Sequence, residues 1–346
     1  MSSRKYIPTV CGLVLLALAM FACTGDDDGP LPAAGGRIWV IDQSNQNVKI
    51  LSYGGALVYT ISGPTGYFFK PNAVQVDRRD GSAWVLDYYV NVVRKYDKDF
   101  NLIYQTPKPE GEPLVLRATS LAVDQVNGAC WVADRSHNRV LKLKSGGGVS
   151  ATITGFNYPR SVSLTPVAGD CWVADELNGR VVKLPANVSG TVTAHSVALA
   201  TCGGFGTPFA VAADPGGGVW VLDKGKGEVV KVTAAGGRAA TIADFEFPVD
   251  AVVSAADDCV FVADQGKNAV FRVPRGVSGT AEIRDVADFR LGGLSVPSDV
   301  ELDEEGKYLF VSDSDLVRRY STDGVLQKTY VDFAMPIATG ADPGRD

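Results

Sequence analysis

From about residue 37 onward the chain is written in short runs of alternating apolar and polar residues, broken at close intervals by Gly, Asn and Asp. A period of two with frequent turn residues predicts strands joined by hairpins. One run recurs seven times: an aromatic, two small or aliphatic residues, then Asp. It appears as Trp39 to Asp42, Trp84 to Asp87, Trp131 to Asp134, Trp172 to Asp175, Trp220 to Asp223, Phe261 to Asp264 and Phe310 to Asp313. The steps between these aspartates run from 41 to 49 residues. That period is too long for ankyrin or leucine-rich repeats and suits a unit of four short strands.

A second run precedes six of the copies, as in Pro71 to Asp77, Pro208 to Asp214 and Pro297 to Asp303. Its alternation is that of a strand, and its proline suits a first position, where no ladder donor is needed. Asn127-Gly128 between two such runs marks a hairpin turn. A third strand follows each Asp, as in Arg139 to Leu143 and Arg180 to Leu184, with aliphatic residues on one face and Lys or Arg expected on the outer one. The fourth strand is the least regular, which suits an outermost edge. Pro336 to Asp342 repeats a first strand with no second strand after it, and Arg37 to Asp42 is a second strand with no first before it. These patterns predict an all-β, seven-bladed β-propeller of four-stranded antiparallel blades, closed by shared N- and C-terminal strands. Six blades is the alternative.

Regularity turns most conspicuous residues into framework. The motif aspartates stand at strand ends, where carboxylates can accept amide hydrogens from the turn beyond. Phe68, Phe156, Phe205, Phe245 and Phe333 each precede a first strand by three residues and read as wedges between blades rather than as a ligand cage. Cys130, Cys171, Cys202 and Cys259 lack metal or redox spacing and read as buried apolar residues, with a disulfide through Cys202 left open. His137 and His195 do not recur and read as surface residues.

The first residues follow another logic. Arg4 and Lys5 precede an apolar stretch from Val10 to Ala22, short for a membrane-spanning helix, and then Cys23 and a run of three aspartates. The layout resembles a bacterial lipoprotein signal. The expected organisation is a signal peptide over 1–22, lipidated Cys23 and a tether over 23–36, and the propeller over 37–346. The resemblance implies a lipid anchor at Cys23 in the bacterial cell envelope, at the outer membrane.

Of 346 residues, 46 % are hydrophobic and 21 % charged, and the net charge is -6. An acidic chain without a basic run argues against nucleic-acid binding. Trp172-Val-Ala-Asp175-Glu-Leu-Asn178-Gly-Arg180-Val-Val-Lys183 and Trp131-Val-Ala-Asp134-Arg-Ser-His-Asn138-Arg139-Val resemble the NHL repeat. That resemblance implies a binding propeller, with gluconolactonase-like metal-dependent hydrolases and a lyase among its relatives. No nucleophile elbow, phosphate loop or dinucleotide fingerprint is present. The expectation is therefore a monomeric, non-catalytic propeller without a cofactor, contacting an envelope protein or glycan through one loop face. A metal-dependent propeller hydrolase or lyase is the alternative.

Specificity in a repeat fold belongs to positions that vary while their surroundings repeat. At the starts of the first strands these are Asn72, Arg117, Arg160, Phe209, Asp250 and Asp299, the candidate ligand face. Asp250 and Asp299 share the second place after their prolines in adjacent copies. Two convergent carboxylates there leave an axial calcium site open, since calcium needs only oxygen ligands.

Overall fold

A computed structural model describes residues 36–62, 68–107, 113–303 and 306–342, with the backbone alone over 338–342. The signal segment, Cys23 and the tether to residue 35 lie outside the described residues. The strands form seven separate sheets, so the six-bladed alternative falls. Blade 1 combines Arg37–Asp42, Asn47–Ser52 and Leu57–Ile61 with the C-terminal Pro336–Asp342, which pairs antiparallel with Arg37–Asp42. Blades 2 to 7 follow in chain order, with inner strands Pro71–Asp77, Ser120–Val123, Pro159–Leu164, Pro208–Ala213, Pro248–Ser254 and Pro297–Leu302. Each inner strand lies beside the next around the axis.

Two expectations about the sheets are corrected. No sheet is closed by hydrogen bonds: the terminal strands complete one open blade, and the ring closes by packing of blade on blade. Nor are all blades four-stranded and antiparallel. The sheets of blades 3 and 5 each take a fifth, parallel strand, Gly190–Thr193 on Val149–Thr154 and Gly279–Glu282 on Arg238–Ala243. Each comes from an insertion in the following blade and runs on into a one-turn helix, α1 (Ala194–Val197) or α2 (Ile283–Val286). A strand lent across a blade boundary covers an outer edge that would otherwise offer unpaired amides.

The packing between blades comes from the repeated aromatics. Trp39, Trp84, Trp131, Trp172, Trp220, Phe261 and Phe310 are all fully buried in second strands. Burying one indole removes roughly 150–250 Å² from water, about 4–6 kcal/mol before ordering costs. The third-strand lysines do not point outward as the pattern suggested. Lys95, Lys142, Lys183 and Lys231 stand in register with Trp84, Trp131, Trp172 and Trp220, and each ammonium lies 5.2 to 6.0 Å from its indole ring. Lys95 donates to the Ser145 carbonyl at 2.9 Å, and Lys142 and Lys231 donate to the carbonyls of Ala186 and Arg275 in the next blade. A long apolar stem with a satisfied charge makes lysine a bridge between blades.

The five phenylalanine wedges are buried as expected; Phe68, for example, packs among Trp39, Val74 and Val85 of blades 1 and 2. The motif aspartates reach further than the turn beyond them. Asp87 accepts from the amides of Tyr89 and Val90 in that turn, and from Phe69 and Lys70, which lead into the inner strand of the same blade. Asp223, Asp264 and Asp313 hold the corresponding entry amides in their blades, and Asp42 holds Ala334 and Met335 across the chain ends. His137 is no idle surface residue, since its Nδ1 lies 2.8 Å from Asp134 Oδ2. His195 is exposed, but on α1 rather than on a strand. Cys130, Cys171, Cys202 and Cys259 are free and buried, and burial pushes the thiols of Cys130, Cys171 and Cys259 up.

Candidate functional site

The axis is lined by alternate residues of the inner strands. A bulge opens directly after the proline in blades 2, 4, 5, 6 and 7, with Asn72, Arg160, Phe209, Val249 and Ser298 as the extra residues. Bulges re-aim side chains, and here they turn the next residue toward the neighbouring blade. Ser161 and Asp250 stand at that second place, and Ser120 at the matching place of blade 3, where Ala118 replaces the proline. Each accepts the amide hydrogen of the residue one further along the next inner strand: Val162 at 3.2 Å, Val211 at 3.3 Å and Val300 at 3.0 Å. Side chains on the axis thus satisfy amides that a radial sheet leaves unpaired on its inner edge.

Asp299 holds the same place in blade 7, but neither of its oxygens has an acceptor role of that kind, and it is fully buried. Its neighbour across the blade boundary is Asp250, whose charge disfavours ionisation of Asp299. Burial raises both carboxyls, Asp250 to about 8, and the Asp250 charge raises Asp299 further. Two places along the same strand lies Glu301, which burial pushes well above the usual carboxylate range, against the opposing pull of Arg78. Three carboxyl groups therefore run down one side of the axis, all shifted toward the neutral acid at pH 7.

Glu301 opens into a cavity of about 240 Å³ at the end of the axis opposite the strand starts. Gln75, Arg78, Ser163, Ala213, Val252 and Glu301 line it, contributed by five blades. Arg78 reaches across from blade 2, its Nη2 3.6 Å from Glu301 Oε1, while its buried Nε has no hydrogen-bond partner among the described residues. The Gln125 side chain accepts from the Arg78 amide at 2.8 Å and fixes the turn that carries it.

The expected ligand face does not come together as one site. Asn72 is buried and donates weakly to the carbonyls of Ala118 and Thr119, at 3.5 and 3.4 Å. Arg117 is exposed, and its own amide donates to Asn91. Arg160 is buried, stacks on the Phe209 ring at 4.0 Å and lies 3.7 Å from Glu176; Lys224 covers the same ring at 4.3 Å. Arg160 and Phe209 therefore pack against each other. Two pairs of the six thus meet, Arg160 with Phe209 and Asp250 with Asp299, and the second leads toward Glu301 and Arg78, which lie at the far ends of the strands. The missed signal was the fourth place after each proline, where Gln75 and Glu301 break an otherwise small or apolar series of Ala122, Ser163, Ala212 and Val252.

The calcium expectation is tested by the donor set. Among the described residues no group of three or more His, Cys, Asp or Glu could hold a metal ion. Burial also favours the neutral form of Asp250 and Asp299, and a protonated carboxyl is a weak ligand. The residues present do not fit the ion.

No protein-family model matches the chain, and no curated protein sequence matches it. Solved structures do match in fold. A putative 6-phosphogluconolactonase from Bacteroides uniformis superimposes with a TM-score of 0.68 at 12 % identity, covering 88 % of this chain and 99 % of its own. Virginiamycin B lyase from Staphylococcus aureus gives 0.62 at 12 % identity, covering 86 % and 89 %. A functionally unknown protein from Desulfotomaculum acetoxidans gives 0.69 at 11 % identity, covering 88 % and 98 %. The chain has the β-propeller fold. At such identities the likeness establishes fold alone. It does correct one expectation: propellers of this shape include a lyase and a putative lactonase, so the repeat is no ground for expecting a non-enzyme.

Proposed function

We propose that the chain is a propeller hydrolase or lyase that opens an ester or lactone group in the axial cavity, with Glu301 as its acid–base residue. The observation that carries this reading is a buried glutamate whose carboxyl burial pushes well above its ordinary range, facing a cavity beside an arginine with an unpaired buried N–H. A carboxyl raised toward neutrality is suited to giving and taking a proton near pH 7. In hydrolysis, water attacks the carbonyl carbon and the Arg78 guanidinium faces the developing oxyanion. Glu301 protonates the oxygen that leaves as the C–O bond breaks, and regains a proton from the attacking water. At about 240 Å³ the cavity lies below the ordinary range of ligand pockets, so it takes no more than one small ring, with the rest of a larger molecule left outside. The likeness in shape to a lyase and a putative lactonase supports the same reading.

A panel of aldonolactones and aryl esters, followed by pH-stat, tests it. At least one member is expected to be opened, and Glu301→Gln to lower kcat by about 100-fold or more with an unchanged melting temperature. Failure to open any member, or full activity in Glu301→Gln, overturns the reading. We further propose that the chain is an NHL-like propeller of the bacterial envelope, tethered through a lipid on Cys23, where its substrates would be envelope glycans or proteins. The N-terminal layout supports this, and Cys23→Ala is then expected to release the protein into the soluble fraction.

A further inference from the structure

The two insertions that lend strands to neighbouring blades share a sequence, Val188-Ser-Gly-Thr191 and Val277-Ser-Gly-Thr280. Each runs from a borrowed strand through a one-turn helix and back to its own blade. The detour leaves a cleft between the helix and the third strand, so the backbone builds the same feature twice. Side chains then separate the two. The cleft at α1, walled by Val182, Ala198, Ala200 and Thr201, holds about 230 Å³, below the ordinary range of ligand pockets. The cleft at α2 holds about 440 Å³, within that range.

The α2 cleft is apolar inside and cationic at its rim. Phe271 and Ile283 are buried in its wall and Phe289 is half-buried. Edge-to-face contacts with Phe245 and Phe261 hold the two rings in place. Of the rim cations, Lys267 is paired with Asp244 at 3.3 Å, and Arg284 with Glu282 and Asp285. Arg290 is different. It donates to the Lys267 carbonyl at 2.9 Å and lies 5.8 Å from the Phe271 ring, but no carboxylate pairs with it among the described residues. An exposed guanidinium held at the edge of an aromatic pocket has donors left for one carboxylate.

We propose that this cleft binds a small arylalkanoate, its ring against Phe271 and Phe289 and its carboxylate on Arg290. The site lies at the outer rim of blade 6, away from the axis, and stands independently of the activity assigned there. Calorimetric titration with 4-phenylbutyrate, and with 4-phenylbutan-1-ol as its neutral counterpart, tests it at low salt. Wild type is expected to bind the acid with sub-millimolar affinity and the alcohol at least about 10-fold more weakly. Arg290→Gln should lose about 10-fold for the acid and nothing for the alcohol, and Phe289→Ala should weaken both. His195→Ala, in the smaller cleft, should change neither. Absence of saturable binding, equal affinity in Arg290→Gln, or a loss in His195→Ala overturns the proposal. Arg290 is exposed, so its variant is expected to fold, which the melting temperature checks.

Discussion

Replacing Asp299 by Asn should flatten a dependence of stability on pH that the buried acid pair gives the wild type. A carboxyl whose pKa is raised by folding favours the native state only while both states are protonated. Its contribution is complete below the unfolded value near 4 and is lost as pH climbs toward the folded value. For Asp250 the folded value is about 8 against an ordinary 3.8, so the window runs from about pH 4 to pH 8. At 1.36 kcal/mol per unit the full span would cost about 6 kcal/mol, and relaxation around a newly formed charge brings the expected loss to roughly 3 kcal/mol. For a domain of this size that corresponds to about 6–10 °C in Tm between pH 5 and pH 8. Asp80 and Asp214, whose carboxyls are held below the ordinary value, act only at more acid pH and stay out of this window. In Asp299→Asn the amide keeps the shape, donates to Asp250 and removes the second charge. Its stability is expected to match wild type at pH 5 and to exceed it by about 1–2 kcal/mol at pH 8. Urea titrations at half-unit intervals of pH check this. An unchanged pH slope in the variant, or a wild type that gains stability from pH 5 to pH 8, would refute a buried pair of raised carboxyls on the axis.

Asp134→Ala takes away the carboxylate that accepts from the Leu116 amide and the Arg139 guanidinium, at 2.7 and 2.8 Å. It should cost about 3–4 kcal/mol in urea, with Asp134→Asn losing roughly half as much. Arg78→Ala removes the one influence named for Glu301 that lowers its pKa. Where the pH profile of turnover falls on the alkaline side as Glu301 loses its proton, that limb should move to higher pH, while kcat drops through loss of oxyanion stabilisation. A limb that stays in place would detach Arg78 from Glu301.

The seven-fold pattern of Trp39 to Asp42 and its copies carried the fold, because a strand period and a repeat length are local properties that any stretch of chain displays. The wedge phenylalanines and the framework role of the motif aspartates were legible for the same reason, since one place in a repeat has one environment. What the chain did not display was anything that depends on which blades meet. The strands Gly190–Thr193 and Gly279–Glu282 pair with a neighbour some 40 residues upstream, and the longer repeat and the shared Val-Ser-Gly-Thr that mark each insertion say nothing of which strand it joins. The lysines opposite the tryptophans looked outward in a strand pattern, yet they lie in the seam between two blades. Asp250 and Asp299 were marked by their shared place after a proline, but the mutual rise of their pKa values, and the line they form with Glu301 toward Arg78, exist only once the inner strands stand side by side around the axis. Local alternation determined the blades; desolvation and charge at the axis, which belong to all seven together, decided where chemistry can occur.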